Sequence, residues 1–349
     1  MSAAPSADEQ LAFLTKLQRV FAEGEFSSTY KFALLIALAE LAVELGQDNI
    51  DPLELSNQVI ASKFIDLYWQ QAAPYSVQQA GAVPGVLIQN NGVQAAVIKA
   101  ITSFRVSHPS ATPLSATALK EYRLLCQQVA QTVSAQPIAY LQNLGGQTQQ
   151  FLYERVRGGI ILKPGVTYCL RRFQPLVQQL ARRHWIDHLK RNRANTAVLG
   201  QTDDLESFLF ETSRQSLMII GEGLKRIGGS HCFYCRSKVQ DGDVDHFIPF
   251  SLYPRDLAHN FVISHPACNR SKSDTLAAKP HLESWMEHIT KNDDALREIG
   301  EAAGRTADLS ASHAVARWGY SNAVSSGARA WIKPEAYEAI DSSYLGCLA

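Results

Sequence analysis

Residues 231–251 read HCFYCRSKVQDGDVDHFIPFS, and the fold of this chain turns on how that stretch is parsed. Cys232 and Cys235 stand three positions apart, and ten residues later the pair Asp245-His246 enters a strand-like apolar run. Alone, a C-x-x-C is as compatible with chance or a redox pair as with a metal site. Further on, residues 264–272 read SHPACNRSK and offer His265 and Cys268 at the same i, i+3 spacing. Two such knuckles supply the four sulfur and imidazole ligands of a tetrahedral structural zinc site. Pro266 inside the second knuckle favours a tight turn. His265 is the ligand that an ordinary loop histidine would imitate.

The wider composition permits this reading. The chain has 349 residues, six cysteines and no formal net charge. Cys232, Cys235 and Cys268 share one 37-residue window while Cys126, Cys169 and Cys347 are scattered. That pattern suits a reducing, cytoplasmic setting with one metal site better than a disulfide scaffold. With no global field, any nucleic-acid contact must come from local basic patches. The N-terminus MSAAPSADEQ lacks the basic and apolar regions of a secretory signal. The most apolar run, YKFALLIALAELAVEL at 30–45, carries Lys31, Glu40 and Glu44 and is too short to cross a bilayer. It is expected to be a buried amphipathic helix, and no membrane partner is expected.

Helical periodicity dominates the chain up to about residue 145. After a disordered start over residues 1–9, a helix is expected to close at Gly24 and the next to stop at Gly46. A third is expected from Asp51 as N-cap with Pro52 at the first helical position. Helical patches recur near 93–104 and 115–142. Residues 150–168 change character and suggest a small β-hairpin or an irregular connector. A basic helix follows, then one or two helices ending at Gly228-Gly229, and after residue 275 a helical tail with Trp285, Trp318 and Trp331 as core anchors. The expected class is α+β, mostly α. A helical region at 1–229 precedes a zinc-bound ββα-metal domain at 230–275, and a helical C-terminal extension spans 276–349.

Between the knuckles the chain resembles the HNH endonuclease family, whose motif reads like D-H-[IV]-x-P-x-S, then N-[LF]-V, then C-N-x-x-K. Here the residues are Asp245-His246-Phe247-Ile248-Pro249-Phe250-Ser251, then Asn260-Phe261-Val262, then Cys268-Asn269-Arg270-Ser271-Lys272. The likeness spans about 45 residues and agrees in type, order and spacing. By this resemblance Asn260 is the middle Asn, which pins the loop carrying the base. Asn269 stands where many relatives carry His, giving an H-N-N variant that favours Mg²⁺ or Mn²⁺ over a metal held by two imidazoles.

The residue chemistry agrees. Phosphodiester hydrolysis needs an activated water and a hard cation at the scissile phosphate. His246 suits the general base, since an imidazole titrates near neutrality. Asp245 and Asn269 offer the oxygen ligands that Mg²⁺ prefers. Adjacent strand residues point to opposite faces, so Asp245 and His246 can serve one metal only where the strand bends or one acts through its backbone. Outside such a frame an Asp-His pair reads as a hydrogen-bonded structural pair. Arg270 and Lys272 are candidates for phosphate contact, or for simple decoration of a helix.

The helix near 170–193 carries Arg171, Arg172, Arg182, Arg183, Lys190, Arg191 and Arg193 against Asp187 alone. Its Arg182, Arg183, Lys190 and Arg191 are candidate DNA contacts; the alternative is a solvated face with Leu176, Val177, Leu180, Trp185 and Leu189 turned inward. Tyr30, Lys31, Tyr68 and Trp69 are assigned to core and surface, and His231, His259, His281 and His288 receive no catalytic role. The expected activity is metal-dependent DNA hydrolysis by nicking or double-strand cleavage, of a restriction or anti-phage type, with DNA and a homodimer or defence subunits as partners. The alternative is a partner-activated or regulatory nucleic-acid-binding zinc protein of a larger defence complex.

Overall fold

The computed structural model describes residues 4–75, 84–200 and 205–348. The chain divides into two units, residues 1–111 with 116–210, and residues 112–115 with 211–349. Helices dominate and the sheets are small, which is the α+β, mostly-α class expected from the periodicity.

The first unit opens with α1 (Ala7–Glu23), so the expected disorder over residues 1–9 is overturned for residues 6–9, while residues 1–3 lie outside the described residues. Ser6 caps the helix by accepting from the Glu9 amide, and the Glu9 carboxylate accepts from the Ser6 amide at 2.7 Å. This reciprocal pair satisfies two donors that a helix start leaves open. Next comes α2 (Tyr30–Leu45), in which every residue from Tyr30 to Val43 is buried. The helix is therefore central rather than amphipathic, enclosed by neighbours because its apolar residues face all directions. Its buried Glu40 is matched by Lys63 at 3.4 Å.

The helix expected from Asp51 begins later. Residues Leu53–Ser56 form a strand, β1, and α3 (Asn57–Trp69) starts after it with Ser56 accepting from the Val59 amide at 3.2 Å. The serine cap wins over the Asp-Pro signal because residues 53–56 are taken up by strand pairing. Helix α4 (Ala96–Ser107), α6 (Lys120–Ala135) and the single turn α7 (Pro137–Tyr140) follow, while the single turn between α4 and α6, α5 (Pro113–Ala116), falls largely to the second unit. A small ribbon comes next, of β2 (Asn143–Leu144) and β3 (Gln147–Thr148). The hairpin expected near 150–168 is formed by β4 (Tyr153–Val156) and β5 (Gly159–Leu162), turning at Gly158 with φ 83°. Strand β1 adds to β5, giving the order β1-β5-β4.

The basic helix is broken in two, α8 (Val166–Arg172) and α9 (Gln174–Arg191), with Pro175 in the first turn of the second. Arg171 is not a surface charge. Its guanidinium donates to the carbonyls of Ala42, Val43 and Gly46 at 2.9–3.1 Å and pairs with Asp48 at 2.6 Å. It thereby closes the C-terminal end of α2, where carbonyls lack intrahelical partners. The unit ends with α10 (Thr196–Leu199) and α11 (Leu205–Phe210); residues 203–204, included in the expected helix, lie outside the described residues.

In the second unit, α12 (Arg214–Gly228) packs on strands β6 (Asp243–His246) and β7 (Phe261–Ser264). After α13 (Pro266–Lys272) come α14 (Lys279–Lys291), α15 (Asp293–Ala303) and α16 (Leu309–Ser326), then the hairpin β8 (Arg329–Lys333) and β9 (Ala336–Ala339). The C-terminal part is thus helical with one added hairpin. Gly223 lets α12 approach α15 closely: a Cβ there would lie 2.5 Å from Ile299 Cγ1. Trp285, Trp318 and Trp331 are fully enclosed, as expected of core anchors. Trp285 stacks on Phe247 at 4.7 Å, and Trp331 meets Tyr234 edge-on at 5.2 Å.

Truncation of Arg171 to alanine removes the donors that close α2; the Ala42 carbonyl keeps the Gly46 amide, while those of Val43 and Gly46 lose their guanidinium partner. The first unit is expected to lose about 3 kcal/mol of stability. Urea unfolding followed by tryptophan fluorescence tests this; a loss below about 1 kcal/mol would show that water replaces the guanidinium without penalty.

Candidate metal centre and active site

The site is assembled on a short antiparallel pair. In β6 and β7, Asp243 pairs with Ser264, Val244 with Ile263, Asp245 with Val262 and His246 with Phe261. Helix α13 follows β7 directly, so β6, the loop 247–260, β7 and α13 form a ββα unit. A second hairpin-like turn precedes it, with the Val239 amide bonded to the Ser230 carbonyl at 2.8 Å and the Cys232 amide to the Ser237 carbonyl at 2.9 Å. Arg236 completes that turn in the left-handed region at φ 61°. The Phe233 amide donates to the Ile263 carbonyl at 2.8 Å, tying this first knuckle to β7.

His265 occupies the N-cap of α13, Pro266 its first position and Cys268 its first turn. Proline at that position needs no amide partner and carries a helical φ, so the second knuckle is held open for its ligands. The sulfurs of Cys232, Cys235 and Cys268 and a ring nitrogen of His265 all lie within 4.8 Å of one another, and these four residues could hold one metal ion. Cys235 Sγ lies 3.2 Å from His265 Nδ1, while His265 Nε2 lies 3.1 Å from the Lys238 carbonyl. That carbonyl accepts only if Nε2 carries the proton, which leaves the Nδ1 lone pair facing the sulfurs as a ligand requires. Burial, together with repulsion from Cys232 and Cys235, pushes the Cys268 thiol up to about 12. At Cys235 burial acts upward too, but hydrogen bonds from Ser237, Cys232 and His265 outweigh it and bring the thiol down to about 7. Crowded thiolates need a cation to coexist, and three sulfurs with one imidazole match Zn²⁺ in type and number.

Beyond the knuckles, Asn260 is buried and its side chain clasps the backbone of Ile248. Its Oδ1 accepts from the Ile248 amide at 2.7 Å and its Nδ2 donates to the Ile248 carbonyl at 2.8 Å. The loop leaving His246 is thereby pinned to the start of β7. Between these residues lies Asp256, which the sequence reading did not single out. Its Oδ1 sits 2.6 Å from His246 Nε2, and its Oδ2 accepts from the Thr212 hydroxyl. Burial acts to raise the Asp256 carboxyl, yet hydrogen bonds from His246 and Thr212 and the charge of Arg305 hold it below the usual carboxylate range. The His246 ring packs on Phe250 and Phe261 and remains 24% exposed. No spacing rule marks an aspartate ten residues past a histidine; only the fold of the 247–260 loop joins them.

The opposite side of β6 carries Asp243 and Asp245, as strand alternation requires. Asp245 is buried, and its Oδ2 accepts from the Tyr234 hydroxyl at 2.6 Å and lies 3.3 Å from Lys272 Nζ. Asn269 Nδ2 donates to Asp243 Oδ2 at 3.4 Å. The structure therefore places Asn269 beside Asp243, and Asp245 beside Lys272. Lys272 is fully buried and also donates to the His246 carbonyl at 2.9 Å, so its expected phosphate contact is overturned. Burial lowers its ammonium pKa and Asp245 counteracts this. Among the other candidate DNA contacts, Arg270, Arg183, Lys190 and Arg191 are exposed. Arg182 is buried, its guanidinium 4.6 Å from the Phe210 ring and its Nε bonded to Gln178, so it is not a surface contact. Asp187 pairs with Arg183 at 3.3 Å. Among the described residues no helix is long and apolar enough to cross a membrane.

Replacing Cys232 and Cys235 together by serine is expected to remove about one equivalent of zinc per chain and to destabilise the second unit, because the metal ties the first knuckle to α13. Elemental analysis of the purified variant checks this; unchanged zinc in a folded variant would show that these sulfurs are not ligands.

The comparisons with known proteins bear on the other unit. No curated protein and no solved structure gives a significant match to the chain. A family model described as a domain of unknown function, DUF8808, matches residues 10–209, more than half of the chain and, apart from residues 112–115, all in the first unit. The chain thus belongs to the DUF8808 family.

Proposed function

We propose that the second unit is a metal-dependent endonuclease of the HNH type, acting on DNA phosphodiester bonds. The observation that carries this reading is the placing of His246. Asp256 holds its Nε2 at 2.6 Å, and Asn260 fixes the loop that begins beside it. A carboxylate that accepts from Nε2–H selects the tautomer whose Nδ1 is the basic nitrogen and stabilises the imidazolium once a proton is taken. His246 would remove a proton through Nδ1 from the water that attacks phosphorus, and the bond to the leaving 3′ oxygen would break. Asp243 and Asn269, which meet at 3.4 Å, would supply hard oxygen donors that fit Mg²⁺ or Mn²⁺, with Asp245 joining them on leaving Lys272. These carboxylates leave β6 on the face opposite His246, so one phosphate is served by both only if the strand bends at 245–246. When bound, such a cation neutralises charge on the scissile phosphate and leaving oxygen. Arg270 and the exposed Arg183, Lys190 and Arg191 supply positive charge for the DNA backbone. A single site of this kind cuts one strand, so nicking is the simplest activity, and a restriction or anti-phage role in the cytoplasm is in keeping with it.

One observation favours a second reading. Asp245 is engaged by the buried Lys272 and Tyr234, an arrangement that suits a partner-activated nuclease of a larger defence complex, in which Asp245 is released only on assembly.

Incubating supercoiled plasmid with the protein and Mg²⁺ tests the activity. His246→Ala is expected to reduce nicking by about 10²-fold or more, the usual share of a general base. Asp256→Asn keeps the shape of the side chain but removes the negative charge that His246 faces, and is expected to lower kcat with little change in KM. Equal nicking by wild type and His246→Ala would show the cleavage to be a contaminant. No nicking by wild type with Mg²⁺ or Mn²⁺, with or without its partners, would remove the enzyme reading.

A further inference from the structure

We propose that a cavity in the first unit, at the N-terminal end of α2, binds a small phosphorylated molecule with its phosphate seated at Lys31. The cavity holds about 550 Å³, and Ser27, Ser28, Lys31, Gln136, Tyr140 and Asn143 contribute to its walls. That volume is in the range of sites for small organic ligands. All of its lining falls inside residues 10–209, the part of the chain matched by the family.

Lys31 is the first reason for an anion. It is only 8% exposed, yet its ammonium makes no ion pair or hydrogen bond among the described residues. Its neighbour is the Phe26 ring, 5.4 Å away. The stem of Lys31 is buried, while its ammonium is not sealed from solvent and opens on the cavity. A cation so placed, with no ion pair in the protein, is positioned to meet an anionic ligand. Burial depresses the Lys31 ammonium pKa, with the Glu25 carboxylate opposing.

The start of α2 is the second reason. This 16-residue helix has no side-chain cap and no acidic residue in its first turn. The Tyr30 amide is met by Ser28 Oγ at 3.4 Å and the Ala33 amide by the Thr29 carbonyl at 3.1 Å. The amides of Lys31 and Phe32 and the positive end of the dipole remain for an acceptor, and an anion is the acceptor they favour. Glu23, which also lines the cavity, is already clasped by Arg19 at 2.6 and 2.8 Å. It does not compete for Lys31; Glu25, the other carboxylate of the wall, acts on Lys31 without forming an ion pair with it.

Phosphate is favoured over carboxylate because the site offers a point charge and helix amides, without the arginine fork that matches a carboxylate in two places. A bare phosphate would fill a small part of 550 Å³. The remaining walls carry hydroxyl and amide groups from Ser27, Gln136 and Asn143, and the exposed ring of Tyr140. They suit a hydroxylated organic body, a sugar phosphate or a nucleotide.

Calorimetric titration of the full chain with inorganic phosphate, glucose 6-phosphate and AMP tests the site. One of the two organic phosphates is expected to bind at least about tenfold more tightly than inorganic phosphate, and which one does so identifies the source. Lys31→Met and Lys31→Gln are each expected to weaken that binding by about tenfold or more, the usual share of a charge-assisted hydrogen bond. Thermal unfolding of both variants is expected to match wild type, because Lys31 makes no ion pair or hydrogen bond among the described residues that they would lose. No binding of any probe, binding of inorganic phosphate alone, or undiminished binding in a folded Lys31 variant would overturn the proposal.

Discussion

Four ligand atoms drawn within 4.8 Å of one another govern the second unit. Three are thiol sulfurs, and sulfurs packed so closely repel as soon as they ionise. A divalent cation reverses the sign of that interaction and turns a strained corner into a joint. Held by the four residues, it would bind the turn at 230–239 to β7 and to the first turn of α13. The residues proposed for catalysis hang from those elements: Asp243, Asp245 and His246 on the strand paired to β7, and Asn269 one residue beyond the candidate ligand Cys268. The helices and hairpin that follow close around this frame, with Trp285 and Trp331 stacked or edged against Phe247 and Tyr234.

Charges within the second unit are sorted by the two faces of β6. On one face the Asp256 carboxylate meets His246 in a half-open position. On the other a buried tyrosine and a buried lysine meet Asp245. The first arrangement leaves an imidazole nitrogen free to take a proton. The second stores a carboxylate against an ammonium, where burial makes each the condition for the other. These are different states of readiness on adjacent residues of one strand.

Much of the knuckle geometry was legible because ligand spacing is local: C-x-x-C and H-x-x-C each describe one tight turn, and Pro266 marks the second. The hairpin at 150–168 was legible for the same reason, since Gly158 has a backbone conformation that favours glycine. Pairings across long separations were not. Asp51-Pro52 is a fair helix start, but β5, about a hundred residues away, takes residues 53–56 into a sheet. Seven basic residues near 170–193 read as one charged face, yet Arg171 and Arg182 are buried for unrelated reasons, one to close a helix and one to lie on a phenyl ring. Lys272 sits in a motif position that suggests phosphate, and only the fold shows it turned inward. Asp256 carries no sequence mark at all, because its meaning depends on how a fourteen-residue loop returns to the sheet.

Arg171 has one more consequence, for the order of events in making the protein. Its bonds to the end of α2 span more than 120 residues of chain. During synthesis the most apolar helix of the first unit is therefore complete long before the group that closes it has been made. Until then the Val43 and Gly46 carbonyls lack the guanidinium, and a helix apolar on every side has no full set of neighbours to hide in. Loop closure over such a distance is slow compared with helix formation. The interval is one in which a chaperone has a defined target, and a fragment ending before residue 171 would keep that target permanently exposed.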